Sequence, residues 1–208
     1  MSFESHNMNP WILSTDWVAR VSLVFCIACF YAGCVLINNN LLFFWAQDSS
    51  YRYWIYLPAG VRLVLVMLFG WRGLIGLAIA VTAIGFSKLV PEIERMDHAV
   101  LAAIVRAGSI WLAFEFYGRV TKIKSPWGAL TWAHVPFLAL FVSSFSAIAV
   151  TLLLIYLELE TMEAFARNVT AWVLGDTVGT MIVLAVVIGL RHSYVKWKSK
   201  IKGAPSAP

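Results

Sequence analysis

Charge is scarce in this chain. Of its 208 residues only 13% are Asp, Glu, Lys or Arg and 61% are apolar, where a soluble domain has about 25% charged and about 45–50% apolar residues. With a mean hydropathy of +0.78, that deficit excludes a soluble enzyme fold and predicts an integral membrane protein. Cysteine is nearly absent as well. Cys26, Cys29 and Cys34 all fall inside one apolar stretch with no histidine nearby. A structural zinc site needs four ligands, so these read as buried apolar thiols, and no metal or cofactor is expected. Also missing is any pairing of a nucleophile with a base at one depth: His98 falls at the outer end of an apolar run, while the cysteines lie midway along another. Membrane enzymes show such pairs, so catalysis is not expected.

Basic residues are in excess, giving a formal charge of +5, yet they do not form a nucleic-acid footprint. The densest group is Lys196, Lys198, Lys200 and Lys202, directly after an apolar run. Anchoring on anionic lipid at the cytoplasmic face accounts for that placement, and no nucleic-acid partner is expected. The tail lysines alternate with Trp197 and Ile201 at a spacing that suits no single helix face, so the tail is assigned no fold.

What the chain does have is long apolar runs. A bilayer-spanning helix needs about 17–25 apolar residues, because no backbone polar group can be left unpaired in hydrocarbon. Runs at roughly Trp17 to Ile37, Tyr53 to Gly70, Gly73 to Leu89, Ala99 to Tyr117, Trp132 to Tyr156 and Val169 to Leu190 predict an all-α polytopic bundle of about six transmembrane helices. The expected organisation is a cytoplasmic N-terminal segment 1–16, a bundle over 17–190 and a basic cytoplasmic tail 191–208. The first apolar segment is too long for a signal-peptide core and is expected to be retained. Three asparagines interrupt the apolar sequence at Asn38 to Asn40, and Leu41 to Trp45 could form an interfacial or re-entrant turn.

Orientation follows from the basic residues of short loops, which stay on the cytoplasmic side. With the C-terminus inside, Arg20, Arg72, Arg119, Lys122, Lys124, Arg191 and the four tail lysines are inside, ten in all, against Arg52, Lys88, Arg95 and Arg167 outside. An even number of spans then places both termini in the cytoplasm.

Ionisable residues within spans cost at least about 2.5–3.5 kcal/mol on insertion scales and are functional candidates by default. Arg62 in the second run, Arg106 in the fourth and Asp176 in the sixth each lie eight or nine residues from the outer end of their run, roughly 12–14 Å deep. Neighbours four apart share a helix face, which groups Trp54, Pro58 and Arg62 on one stripe and Trp172, Asp176 and Thr180 on another, with Ser143, Ser144 and Ser146 at similar depth on the fifth run. Two arginines and one aspartate favour a small anionic ligand, a carboxylate or phosphate held bidentately. A helix-to-helix staple without a ligand, and a proton or ion relay, fit the same three residues. Glu115 is expected to pair with Arg119 at i+4, or with Arg72, and His134 to be a hydrogen-bonded packing residue. Gly175 and Gly179 form a small-xxx-small pattern that permits close helix approach.

Three phrases carry a family resemblance. Leu57-Pro58-Ala59-Gly60, then Phe69-Gly70-Trp71-Arg72-Gly73, then Trp172-Val173-Leu174-Gly175-Asp176-Thr177-Val178-Gly179 resemble, in that order over about residues 54–190, the MASE1 integral membrane sensor domain. That resemblance implies the sensory membrane part of a bacterial histidine kinase or diguanylate cyclase, with Pro58, Gly60, Trp172, Gly175, Asp176 and Gly179 as shared positions. The chain departs from the family pattern in two ways. It shows six spans rather than about eight, with eighteen residues after the last where the family carries an output domain, and Met181 to Leu184 replace a proline that commonly follows the glycine-aspartate segment. The expectation is therefore a stand-alone sensor module of the bacterial inner membrane, set in the lipid bilayer, that works through a protein partner or a homo-oligomer formed by helix contacts. A small transporter, or the substrate-binding membrane subunit of an uptake system, is the alternative, supported by size and span number.

Overall fold

The computed structural model describes residues 10–42, 54–86, 96–122 and 132–202. Six α-helices account for nearly all of them: α1 (Pro10–Ile37), α2 (Leu57–Phe69), α3 (Trp71–Phe86), α4 (Met96–Thr121), α5 (His134–Tyr156) and α6 (Phe165–Lys202). A π-helical turn, Asn38–Leu42, extends α1, and a 3₁₀ turn, Met162–Ala164, precedes α6. No strand occurs among the described residues.

Among the described residues, four stretches are long and apolar enough to cross a membrane: Trp17–Leu42, Met96–Thr121, His134–Tyr156 and Met162–Lys198. The second and third runs of the sequence are helical too, but α2 has 13 residues and α3 has 16, about 20 and 24 Å at 1.5 Å per residue, against a hydrocarbon core of about 30 Å. The expected outer ends of those runs, Tyr53 and Leu89, lie outside the described residues, as do Phe43 to Trp45, Arg52, Lys88, Arg95 and Lys124.

The break between α2 and α3 has a local cause. Gly70 stands alone between the helices at φ +56°, a left-handed conformation that costs a side chain but not glycine. Its N–H donates to Val66 O, and Leu74 N–H donates to Gly70 O. The chain then folds back so closely that a Cβ on Gly73 would sit 2.4 Å from Leu65 O. Pro58 falls in the first turn of α2, where a missing N–H costs nothing.

Lipid tails are as apolar as leucine, so helices associate in a membrane through close packing. The buried face of α4 accordingly reads Ala99, Ala102, Ala103, Ala107, Ser109, Ile110, Ala113, and Ala107, Ile110 and Ala113 share the core with Val135, Leu138 and Val142 of α5. Ile27 and Tyr31 of α1, Leu63 and Val66 of α2, Leu77 of α3 and Leu184 of α6 complete the core. Two of the cysteines are not in it. Cys26 and Cys29 lie exposed on α1 and Cys34 is half-buried, because the packed side of α1 is the one bearing Ile27, Ala28, Tyr31 and Val35. The expectation of buried thiols is corrected to thiols on the outer surface of the bundle.

The tail also differs from expectation. α6 runs 38 residues to Lys202, so the basic segment after Leu190 begins as a continuation of the helix. At about 1.5 Å per residue the helix is about 57 Å long, well beyond one hydrocarbon thickness.

Candidate functional site

α2 and α6 cross at their glycines. A Cβ on Gly60 would lie 2.6 Å from Val183 Cβ and 2.9 Å from Thr180 Cα, and one on Gly179 would lie 2.0 Å from Tyr56 O. Only hydrogen fits at either position. The Tyr56 N–H donates to Gly175 O at 3.1 Å, tying the start of α2 to the α6 backbone. Since Tyr56 meets Gly175 and Gly179 while Gly60 meets Thr180 and Val183, the two helices run in the same direction. The first ten residues of α6, 165–174, therefore extend past the beginning of α2.

The charged residues meet at that step. Side chains on a helix lean toward its N-terminus, and Arg62 reaches back so that its Nη2 donates to Asp176 Oδ2 at 2.8 Å, with the two side chains 2% and 7% exposed. The remaining guanidinium donors of Arg62, Nε and Nη1, are buried without a hydrogen-bond partner among the described residues. Arg106, half-buried on α4, places its guanidinium 4.5 Å from the Trp172 ring centroid, a cation–π contact. It lies within electrostatic range of both Arg62 and Asp176. Trp172 Nε1 and Thr177 Oγ1 are two further buried groups without a partner among the described residues. Among the described residues the cluster thus holds two guanidiniums to one carboxylate, with the positive end of the α2 dipole beside it.

Several groups that the sequence pattern does not single out belong here. Tyr31 of α1, 1% exposed, shares a side-chain hydrogen bond with Tyr56 and lies within electrostatic range of both arginines. The Tyr56 ring lies 5.7 Å from the Arg62 guanidinium carbon. Asn38, also 1% exposed, accepts the Leu57 N–H at 3.1 Å and so caps α2 from the end of α1. The interrupted apolar run at Asn38 holds a signal for this, since a buried amide requires partners. Tyr31 offers only the weaker one that a buried tyrosine hydroxyl needs a partner.

The structure distributes the candidate residues unevenly. Arg62, Arg106, Asp176 and Trp172 come together. Pro58 is buried in the first turn of α2, and Thr180 sits at the α2–α6 crossing beside Gly60. Trp54 precedes the helix and is 60% exposed; the stripe expected from it begins instead at Pro58, because i, i+4 stacking stops where the helix does. Ser146 and Ser143 of α5 are buried, and Ser109 Oγ joins Ser146 Oγ at 3.3 Å and Arg106 O at 3.0 Å, which fixes the turn of α4 that carries Arg106. Glu115 pairs with Arg119 at i+4, at 3.1 Å, away from the cluster. His134 Nδ1 is hydrogen-bonded to the Tyr117 hydroxyl at 3.3 Å.

Apolar helices, several of them long enough to cross a bilayer, packed around a small buried charge cluster define the class, a polytopic membrane protein. The model of the MASE1 family matches residues 22–202, nearly the whole chain, and the protein belongs to that family of membrane-associated sensors. Neither the curated proteins nor the solved structures gave a match.

Proposed function

We propose that this MASE1 protein senses a small anion bound at the Arg62–Arg106–Asp176 cluster, and passes the bound state to a separate signalling protein through its helices. One observation carries the reading: among the described residues Arg62 is buried with two guanidinium donors unpartnered, beside a second arginine, and Asp176 is the one carboxylate described there to balance the two. Unsatisfied buried donors cost about 1–3 kcal/mol each, and a carboxylate or phosphate supplies acceptors in the fork geometry that arginine favours. Trp172 adds an N–H, and the α2 N-terminus adds partial positive charge in the manner of interrupted membrane helices that face anionic groups. Ten basic residues on one side against four on the other support a bacterial inner-membrane setting with both termini cytoplasmic; the cluster then lies toward the outer side.

The test is thermal unfolding of the detergent-purified protein with acetate, phosphate or sulfate, alongside Arg106→Ala. Binding at a hundredfold excess over Kd stabilises by about 2.7 kcal/mol. A stabilising shift by at least one of these anions that Arg106→Ala removes is the expected result. Absence of any shift, or a shift untouched by the substitution, overturns the reading; anion uptake into liposomes would make the protein a carrier instead.

A further inference from the structure

The polar stripe on α6 does not start at Trp172. Asn168 precedes it by four residues, so Asn168, Trp172 and Asp176 follow one another on one face, and Asn168 is 1% exposed. Its amide has two unlike ends. Nδ2 donates to Glu160 Oε2 in the connection from α5, and a carboxylate can only accept, which turns the amide so that Oδ1 is the other end. That oxygen is buried with no hydrogen-bond partner among the described residues. Asn168 also lies on the part of α6 that extends past the start of α2, on the side that Trp172 shares.

We propose that Asn168 is a specificity-determining residue of the anion site: its Oδ1 accepts an O–H or N–H from the ligand, so the protein selects organic anions that carry a hydrogen-bond donor. This inference rests on the anion reading above. Trp172 Nε1 and the Arg106 guanidinium over its ring supply donors one turn, about 6 Å along the axis, from the Asn168 acceptor, with the Arg62–Asp176 pair a turn further on. An inorganic anion such as phosphate is too short to reach both the donors and the acceptor. A hydroxylated or aminated carboxylate or phosphate of matching length satisfies both, and a site with a buried acceptor rejects the analogue lacking the donor. Glu160 acts through Asn168 as a positioning residue, since it fixes which end of the amide faces the stripe.

The probes are butyrate and 4-hydroxybutyrate, which differ by one terminal hydroxyl, with inorganic phosphate as a reference, and the readout is Kd from thermal shift on the full chain in detergent. The expected result is that 4-hydroxybutyrate binds at least about tenfold more tightly than butyrate, and that Asn168→Ala erases the preference while leaving butyrate binding as it was. Glu160→Gln keeps Asn168 in place but frees its amide to turn over, and is expected to shrink the preference; it serves if Asn168→Ala fails to fold. Equal affinities in the wild type, a preference that survives both substitutions, or binding of phosphate alone overturns this inference and leaves the anion reading standing. Binding of none of the three, with acetate and sulfate also without effect, overturns both.

Discussion

Two arginine–carboxylate pairs in this protein make the same bond and do opposite work. Arg62–Asp176 joins α2 to α6 at 2.8 Å with both side chains almost fully buried, whereas Arg119–Glu115 lies along α4 at 3.1 Å with side chains 77% and 45% exposed. The lengths differ little, so burial decides. An exposed i, i+4 pair contributes a few tenths of a kcal/mol and is screened by salt. A buried pair repays its desolvation only while both partners stay, and even then not by much. Its consequence is the geometry it enforces and the unspent donors it leaves beside Arg106.

The largest effect belongs to Asp176→Ala, which strands the Arg62 charge among apolar helices. A loss of about 3–5 kcal/mol is expected, read as a collapse of the melting temperature or of recoverable folded protein in detergent. Replacing both partners, Arg62→Met with Asp176→Leu, is expected to restore most of that stability and to abolish any anion-dependent shift. A double variant as unstable as the single one would show that the charges are not what Asp176→Ala exposes.

Next in size is Gly179→Ala. The new methyl would meet the Tyr56 carbonyl, which is backbone and cannot swing aside, so at least about 1–3 kcal/mol is expected from overpacking, with loss of the anion response as α2 and Arg62 move off α6. Unchanged melting would mean the crossing is looser than 2.0 Å from Cβ to Tyr56 O implies. Asn38→Ala removes the cap that α1 places on α2 and should cost about 1 kcal/mol; an unaltered melting curve would sink the capping role. Glu115→Ala marks the small end, a change of about 0.3 kcal/mol that vanishes in high salt. A loss comparable to that of Asp176→Ala would refute the claim that exposure sets the worth of an ion pair here.

Much of the site is legible in the order of the residues. Arg62, Arg106 and Asp176 stand out because charge within an apolar run is costly and therefore rare, and Trp172 follows from helical spacing. Gly60, Gly175 and Gly179 show as small residues on those same runs. Trp54 misleads because stripe arithmetic assumes a helix that has already begun, and α2 begins at Leu57. Asn168 lies on the Trp172–Asp176 stripe but at the expected edge of the span, where an asparagine reads as an interfacial residue. Tyr31 and Tyr56 come from separate segments, and no periodicity links them to the arginines.

The sequence alone determined that this is a helical membrane protein of the MASE1 kind, since hydropathy and a few short phrases depend only on local chemistry and on the cost of unpaired backbone in lipid. Which arginine Asp176 would take, that α2 starts partway along α6, that Asn38 caps it from another helix and that Asn168 keeps a buried oxygen without a partner among the described residues were decided by the tertiary structure. Those outcomes depend on how closely helices approach and which buried groups find partners, and both are properties of residues far apart in the chain.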